Sequence, residues 1–480
     1  MSISRNANSQ NLRTPLLTAL LGAGVAALLA LSPQPIRHFG LFGLMGMTAG
    51  VFALFCTAVH PLLPFALYFG ALFFADTKVA GLPLSMGQGL GLLFLLSFGA
   101  YVVRGRAMAL PSKFLPVLST VAVYFTIRAI TGEDLERSLI HFRYVVIYFV
   151  VAVALAASMT TERAILAFCW IIVGLTAVAA VHGLWQAVEK DILGAFRGHW
   201  GSANRVRGTA KNPIVFGWNM VFSFPFAFFL YAQLKSQWTR TLALVLGLLC
   251  IFAATFTFNR QTYVLIALLV VMAGTMYRYH GRKLLLSAIV VMGGLATVTV
   301  LPLVLARFST VATLSKDYSF LERRDSFLLG MQMFEQHPIF GVGLGSFPAV
   351  WKNYLPQDYS TYFVQYMTST ELRYPDFGYL NLLAEGGVVG VSLFVFMLFA
   401  WLRGAWGYRK RAIAAGDKLA QNLSTTVLLL GVFLALSSAI QDTFLYTRVW
   451  VALALVLLID ERILPIRPED DPYLVPEPVP

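Results

Sequence analysis

Charged residues are scarce in this sequence. Only 12% of its 480 residues are Asp, Glu, Lys or Arg, whereas 58% are hydrophobic. A soluble domain carries about 25% charged residues, which help to cover its water-exposed surface. The high apolar content also excludes an intrinsically disordered chain, because such chains have too few apolar residues to form a core. The composition therefore predicts an all-α polytopic membrane protein.

Cysteines and cofactor-binding motifs are also scarce. The three cysteines, Cys56, Cys169 and Cys250, lie in apolar stretches, and their spacing indicates neither a disulfide framework nor a metal site. The P-loop pattern is absent, and the glycines of 341–345 lack the βαβ surroundings of a dinucleotide site. The carboxylates of the predicted outer loops form no Asp-x-Asp pair. We therefore expect no cofactor, no bound metal and no nucleic-acid partner.

Long apolar runs predict the membrane-spanning helices. The uncharged run 38–75 is too long for one span and short for two, and 261–277 is itself short. We therefore predict 12–14 transmembrane helices, in an even number. The candidate spans are 14–31, 38–59, 61–75, 85–103, 114–130, 139–158, 164–188, 213–233, 241–258, 261–277, 284–305, 377–402, 422–440 and 443–460.

The positions of Lys and Arg predict the orientation of these helices, because short cytoplasmic loops carry an excess of positive charge. Basic residues occur in most connections that are cytoplasmic when the N-terminus is inside, such as Arg409, Lys410 and Arg411. Both termini are then cytoplasmic. The net charge of +13 also favours contact with anionic lipid.

This topology divides the chain into four segments. Residues 1–305 form the N-terminal transmembrane helices, with a basic outer loop at 189–212. Residues 306–376 form a large outer loop with short helices, and 377–462 form the C-terminal transmembrane helices. The acidic, Pro-rich end at 463–480 predicts a disordered cytoplasmic tail.

About half of the 36 Lys and Arg residues fall on the outer side in this topology, which opposes the usual bias. A large anion bound by several separate loops would explain them, because Arg and Lys pair with phosphate and carboxylate groups. Misplaced spans are the alternative explanation. The outer cations of greatest interest are Arg128, Arg137, Arg143, Arg207, Lys211 and Arg260.

The large outer loop contains a single histidine. Phe327, Leu328, Met331 and Phe334 predict an amphipathic helix that ends at His337, the residue before a proline. Three glycines at alternate positions follow, which allow another segment to approach the backbone closely. A histidine among cations and aromatics is a candidate general base, oriented by a carboxylate such as Glu335 or Asp325. A structural role is the alternative.

Four elements together resemble the superfamily of bacterial O-antigen ligases and polymerases, which are envelope glycosyltransferases. Arg-Gly-Thr-Ala-Lys-Asn-Pro at 207–213 is similar to its Arg-x-x-x-x-Asn-Pro element, and Asn-Arg-Gln at 259–261 resembles its Ser-Arg-Gly-type element. The His-Pro and glycine pattern of 337–347 resembles its most specific signature. Residues 379–390 resemble the helix that follows its large loop. Many members of the superfamily carry His-Asn where this sequence has Asp376-Phe377. Whether the site contains a second histidine therefore stays open.

The resemblance implies about 12 spans and a transferase that needs no nucleotide. The donor would be a polysaccharide on undecaprenyl pyrophosphate, and the acceptor the core sugar of lipid A-core. His337 would be the general base of a metal-independent, inverting direct displacement. Arg207 and Arg260 would hold the pyrophosphate, with Lys211 and Arg143 as weaker candidates, while Arg128 and Arg137 could contact acceptor phosphates or simply lie at the interface.

The resemblance also implies a place in the bacterial inner membrane, with the active site on the periplasmic side. An O-antigen polymerase or a protein O-oligosaccharyltransferase would use the same type of donor and is the main alternative. A transporter of lipid or solute is less favoured, because it would need buried charges within its spans, and few are present.

Overall fold

We analysed the chain as a computed structural model. It describes residues 60–71, 86–107, 110, 112–189, 205–210, 212–277, 318–355, 377–439 and 447–459. Within these ranges the backbone forms helices and turns and contains no strand.

The α-helices are numbered in chain order. They are α1 (Leu62–Ala71), α2 (Met86–Val103), α3 (Phe114–Ile130), α4 (Leu135–Ser158), α5 (Glu162–Glu189), α6 (Pro213–Gln233), α7 (Gln237–Thr255), α8 (Arg260–Met276), α9 (Tyr318–Gln336), α10 (Phe347–Val350), α11 (Gly378–Ala415), α12 (Lys418–Ser438) and α13 (Thr447–Leu458). A 3₁₀ helix, Trp351–Tyr354, follows α10 directly.

The predicted spans that fall within the described ranges, wholly or in part, are helical. Among the described helices, six (α4 to α7, α11 and α12) are long and apolar enough to cross a membrane, and five shorter ones are also apolar. The chain is a multi-pass membrane protein, and its described part is helical. The predicted spans 14–31, 38–59 and 284–305 lie outside the described residues, so the total of about 12 stays a prediction. The tail 463–480 also lies outside them.

The chain divides into two compact units, and residues 1–109 with 157–175 form the first. Here α1 packs against α2. The ring of Phe65, which is fully buried, lies 5.7 Å from the rings of Phe69, Phe94 and Phe168. Aromatic contacts of this kind hold the apolar helices of this unit together.

The second unit, residues 110–156 and 176–480, is built around α6. This helix begins at Pro213, and the side chain of Asn212 accepts a hydrogen bond from the Ile214 amide as its N-cap. Asn-Pro is a favourable helix start, because the cap satisfies a free amide and proline lacks one at the first position. In its most apolar window 83% of α6 is buried, since α7, α8 and α12 all pack on it.

In the second unit, polar contacts link residues of α8, α11 and α12 near connections that the charge pattern predicts to be cytoplasmic. Arg409, only 9% exposed, donates to Thr425 Oγ1 (3.0 Å) and to the Met276 carbonyl (2.7 Å). The Tyr277 hydroxyl and Thr426 Oγ1 lie 2.8 Å apart. These hydrogen bonds join α8, α11 and α12 within the second unit, and the side of the membrane on which they lie stays a prediction.

Helix α11 is longer than its predicted span. The apolar pattern ends near 402, whereas the helix continues to Ala415 and ends where Gly416 adopts a left-handed conformation (φ 73°). Charged residues such as Arg403 mark the predicted end of the membrane span, but they do not interrupt the helix. The helical hydrogen-bond pattern ends at the left-handed Gly416.

A helix is present where the sequence predicts the amphipathic one, and this helix, α9, ends at Gln336, directly before His337. Its buried face differs from the predicted stripe. Leu329 and Met333 are fully buried, whereas Phe327 and Leu328 are 45% and 47% exposed. The buried face also holds Asp325 and Ser326, which apolar periodicity alone does not predict, and contact of the exposed stripe with the membrane surface stays a prediction.

Candidate active site

The glycines that follow His337 build a compact loop, which we call the glycine loop (residues 338–345). Gly341, Gly343 and Gly345 have φ angles of 70°, 110° and 81°, a region that side-chain-bearing residues rarely adopt. Each is also closely packed: a Cβ on Gly343 would collide with Gly132, and one on Gly345 with the His141 ring. Glycine is required here for conformation and for space.

The glycine loop docks into a break in α11. Gly387 has a non-helical conformation (φ 62°, ψ −168°), so the helical hydrogen-bond pattern is interrupted there. The loop supplies partners for the backbone groups that the break leaves free. These hydrogen bonds run from the amides of Val342 and Gly343 to the carbonyls of Ala384 (2.9 Å) and Glu385 (3.0 Å), and from the amides of Val388 and Val389 to the carbonyls of Pro338 (2.9 Å) and Ile339 (3.3 Å). Two carbonyls and two amides of the break are therefore paired, as buried backbone groups normally are.

The turn between α3 and α4 holds the loop from the other side. The Glu133 amide donates to the Val342 carbonyl (3.0 Å), and the Leu344 amide donates to the Arg128 carbonyl (3.3 Å). The hydroxyl groups of Ser138 and Ser346 lie 3.1 Å apart and are buried. These contacts fix the turn against the residues that follow His337.

Arg128 fastens the glycine loop with its side chain. Its guanidinium donates to the carbonyls of Phe340 (2.9 Å) and Gly341 (2.8 Å) and to Thr131 Oγ1 (2.6 Å). The sequence suggested acceptor phosphates as its partners. The structure instead gives this group backbone partners inside the protein, so the acceptor role stays a prediction that these contacts do not support.

His337 lies between a tyrosine and a carboxylate. Its Nε2 atom is 2.9 Å from the Tyr354 hydroxyl oxygen and 3.3 Å from Glu133 Oε1. The Tyr354 hydroxyl donates to the same carboxylate oxygen at 2.6 Å. The His337 side chain is 42% exposed and that of Glu133 33%. The imidazole is thus accessible to water, while the Tyr354 and Glu133 oxygen atoms both lie close to its Nε2 atom.

The backbone explains why these three groups meet. His337 directly follows the last residue of α9, and its amide still donates to the Met333 carbonyl (3.0 Å). Tyr354 ends the 3₁₀ helix, whose residues Trp351 and Tyr354 pack with Leu329 and Met333 in one apolar cluster. Burial and the neighbouring Glu133 carboxylate both raise the pKa of Tyr354. The phenol therefore keeps its proton at neutral pH.

Neither carboxylate suggested from the sequence contacts the imidazole. Asp325 is buried (1% exposed) and is paired with Arg324 at 2.6 Å, about three turns before His337 along α9. Glu335 is exposed to solvent near the end of the same helix. Sequence reasoning missed Glu133 and Tyr354. One signal was available for Glu133, because the predicted topology places its turn on the same side of the membrane as the large loop.

A second group forms where the segment 205–210 meets the connection between α7 and α8. The Val206 amide donates to the Phe256 carbonyl (3.2 Å), and Arg205 Nε donates to the Thr257 carbonyl (2.8 Å). Gln186 Oε1 accepts from the amides of Arg207 (2.8 Å) and Gly208 (2.9 Å). Arg207 itself is exposed. The two predicted pyrophosphate-binding segments are therefore adjacent, and Arg260 is the first residue of α8.

Unpaired buried polar atoms concentrate around this second group. Asn259 Nδ2 and Thr262 Oγ1 have no hydrogen-bond partner in the described part of the chain, although Asn259 is 6% exposed and Thr262 fully buried. The other unpaired atoms close to it in sequence are Thr209 Oγ1, Trp218 Nε1, Asn219 Oδ1 and Gln261 Oε1. Buried polar atoms normally have partners, and residues 190–204 and 211, which neighbour this group along the chain, lie outside the described residues.

The other predicted cations are less informative. The Arg143 guanidinium is exposed and lies 5.5 Å from the centre of the Tyr144 ring. Lys211 lies outside the described residues, as do most residues of the basic loop 189–212, and the side chains of Arg137 and Arg260 are likewise not described. Within the described ranges, no group of three or more His, Cys, Asp or Glu residues could hold a metal ion.

Comparison with known families adds an independent finding. Residues 242–395 match the sequence model of a family described as O-Antigen ligase. The match contains Arg260, His337, the glycine loop and the break in α11, whereas Glu133 and Arg207 precede it. It confirms the predicted resemblance to this superfamily, whose members are glycosyltransferase-like enzymes that use lipid-linked donors. No curated protein matches the chain.

Proposed function

We propose, from the premise that residues 242–395 belong to the O-antigen ligase superfamily, that this protein is an O-antigen ligase. It transfers a polysaccharide from undecaprenyl pyrophosphate to the core sugar of lipid A-core. The reaction takes place on the periplasmic face of the bacterial inner membrane. The observation that carries this proposal is the water-accessible His337 imidazole, held against Glu133 and Tyr354 at the start of the glycine loop.

The first half of the chemistry is proton removal from the acceptor. A sugar hydroxyl is a weak nucleophile, and a base within hydrogen-bond reach raises its reactivity as the bond to carbon forms. His337 fulfils the structural requirement, since 42% of its side chain is exposed while its position is fixed by neighbours on two other segments. The hydroxyl oxygen attacks the anomeric carbon, and its proton passes to the imidazole.

The second half is departure of the pyrophosphate. The bond between the anomeric carbon and the phosphate oxygen breaks, and the electron pair leaves with the diphosphate. Cations near the leaving group stabilise this developing charge, and arginine suits a diphosphate because it donates two parallel hydrogen bonds. Support comes from the adjacency of the segments that carry Arg207 and Arg260. Lys211 and Arg143 are secondary candidates for the same role.

Direct displacement at the anomeric carbon inverts its configuration, and it requires no covalent enzyme intermediate. The donor already carries a good leaving group, so neither ATP nor a nucleotide sugar is required at this step. The proposed reaction is therefore metal-independent and inverting. A polymerase or a protein O-oligosaccharyltransferase would use the same donor chemistry, and the acceptor alone separates these functions.

Reconstitution of the purified protein in liposomes tests the proposal. The liposomes contain lipid A-core and glycan-linked undecaprenyl pyrophosphate, without ATP or added metal, and products are separated by gel electrophoresis. A ladder of glycan-bearing lipid A-core that disappears with His337→Ala is the expected result. Growth of the lipid-linked glycan without transfer to lipid A-core would replace the ligase by a polymerase. Transfer to neither, with an intact and folded protein, would refute both.

A further inference from the structure

The hydrogen bonds around His337 determine which of its nitrogens carries a proton. The Tyr354 hydroxyl has one proton, and it donates that proton to Glu133 Oε1 at 2.6 Å. An ionised carboxylate can only accept hydrogen bonds. Both oxygen atoms near His337 Nε2, at 2.9 Å and 3.3 Å, are therefore acceptors toward the ring. Two acceptors around one ring nitrogen require that this nitrogen is the donor.

We infer that neutral His337 is the Nε2–H tautomer, that Nδ1 is the atom which receives the acceptor proton, and that Glu133 and Tyr354 are positioning residues for this step. The inference rests on the proposed function, because it assigns roles within that reaction. It adds Glu133 and Tyr354, two residues that the sequence analysis did not name as candidates. It also specifies which edge of the imidazole faces the substrate.

Exposure agrees with this assignment. The Nε2 edge faces Tyr354, whose side chain belongs to the buried cluster around Leu329 and Met333. The His337 side chain is nevertheless 42% exposed, so an approaching hydroxyl can reach this side chain. The raised pKa of Tyr354 means that the phenol remains a donor to Glu133 while the reaction proceeds.

The proton balance of the step is simple. As the acceptor oxygen bonds to the anomeric carbon, its proton moves to Nδ1 and the ring becomes an imidazolium with two N–H groups. Glu133 then faces a full positive charge at 3.3 Å, which it stabilises as the carboxylate of a Ser-His-Asp triad stabilises its imidazolium. The proton later leaves Nδ1 to water, which restores the starting tautomer.

Three substitutions test the positioning roles in the liposome assay. Glu133→Gln keeps the size of the side chain but removes its charge, and we expect kcat to fall about 100-fold, within the range of general-base effects. KM for both substrates should stay within about threefold, because the loss concerns the transition state. Tyr354→Phe should cost about 10-fold, the scale of one hydrogen bond. Glu133→Asp should recover part of the lost kcat.

Glu335→Gln is the matched control. It removes a carboxylate two residues from His337 that is exposed to solvent, and we expect kcat to stay within about twofold. If Glu133→Gln reduced kcat no more than Glu335→Gln, the positioning role would be wrong. If Glu133→Gln instead lowered the unfolding temperature and Glu133→Asp restored folding but not kcat, Glu133 would be merely structural.

Replacement of His337 by Nδ-methylhistidine tests the tautomer directly. The methyl group blocks Nδ1 and leaves the lone pair on Nε2, so we expect activity as low as that of His337→Ala. Retained activity would make Nε2 the base and overturn the inference. Both results presuppose that the wild-type protein forms the product ladder. Absence of that ladder would count against the proposed function instead, while ¹⁵N NMR of the labelled histidines, with the His337 signal identified by its loss in His337→Ala, would still report the tautomer.

Discussion

The guanidinium of Arg128 donates a 2.8 Å hydrogen bond to the main-chain carbonyl of Gly341, across 213 residues of sequence. A second hydrogen bond, to the Phe340 carbonyl, also links Arg128 to the glycine loop. The loop in turn fills the break in α11 and follows His337 directly. A cation that sequence reasoning associated with the acceptor thus contributes to the construction of the candidate active site.

Removal of the Arg128 guanidinium should destabilise the protein. Hydrogen bonds to charged groups contribute about 1.5–3 kcal/mol each, and solvent weakens the more exposed bond to Phe340, so Arg128→Ala should lower the free energy of unfolding by about 2–4 kcal/mol. Lysine has no planar fork with which to reach both carbonyls, so Arg128→Lys should recover little. Thermal unfolding in detergent measures this, with the exposed Arg143→Ala as the comparison. Unchanged stability with a raised acceptor KM would restore the acceptor-binding role.

The break in α11 provides a second prediction. A Cβ on Gly387 would collide with the Ile339 backbone, and its φ of 62° disfavours any side chain. We expect Gly387→Ala to displace the glycine loop, with a cost above about 3 kcal/mol and loss of activity.

The matched control lies in the same helix. Gly404 has ordinary helical geometry and open space around its Cβ position, so Gly404→Ala should be neutral or should stabilise α11 by up to about 1 kcal/mol. Unfolding temperatures of both variants in one detergent supply the comparison. Equal effects of the two substitutions would mean that the break plays no special structural part.

The helices were largely predictable from the sequence, because membrane spans depend on local composition. A run such as 213–233 is apolar, begins with Asn-Pro and has the length that a bilayer requires, so α6 matches its prediction at both ends. The end of α11 was not predicted, since a membrane boundary and a helix boundary depend on different properties.

The site was predictable only in part, for a physical reason. His337 has a local signature, in which a helix end, a proline and three glycines follow one another. Glu133 precedes Tyr354 by 221 residues, and no local pattern marks a carboxylate that meets its partner only after folding. The segments of Arg207 and Arg260 were paired by resemblance, and their backbone hydrogen bonds became visible only in three dimensions.

Donor binding should depend on Arg207. Loss of one bidentate guanidinium–phosphate contact costs about 1.5–3 kcal/mol, so Arg207→Ala should raise the donor KM by about 10- to 100-fold. Since the arginine also meets charge in the transition state, kcat should fall as well. Arg163→Ala is a suitable control, because the predicted topology places Arg163 on the cytoplasmic side. A donor KM unchanged by Arg207→Ala would remove this residue from the pyrophosphate site.

Catalysis should withstand removal of divalent metal ions. In the proposed reaction, guanidinium groups stabilise the charge on the departing diphosphate. The acceptor proton passes to the His337 imidazole, whose Nε2 edge already faces Glu133 and Tyr354. Neither step requires a Lewis acid. Incubation of the proteoliposomes with EDTA should therefore leave the initial rate of ladder formation within about twofold of the untreated value. A rate that fell with EDTA and returned on titration with Mg²⁺ would contradict this prediction. In that case a metal ion would neutralise part of the diphosphate charge, and the arginines would bind the metal-bound diphosphate. The Arg207→Ala variant distinguishes the two cases, because its donor KM would become sensitive to Mg²⁺ only if the ion shares the diphosphate.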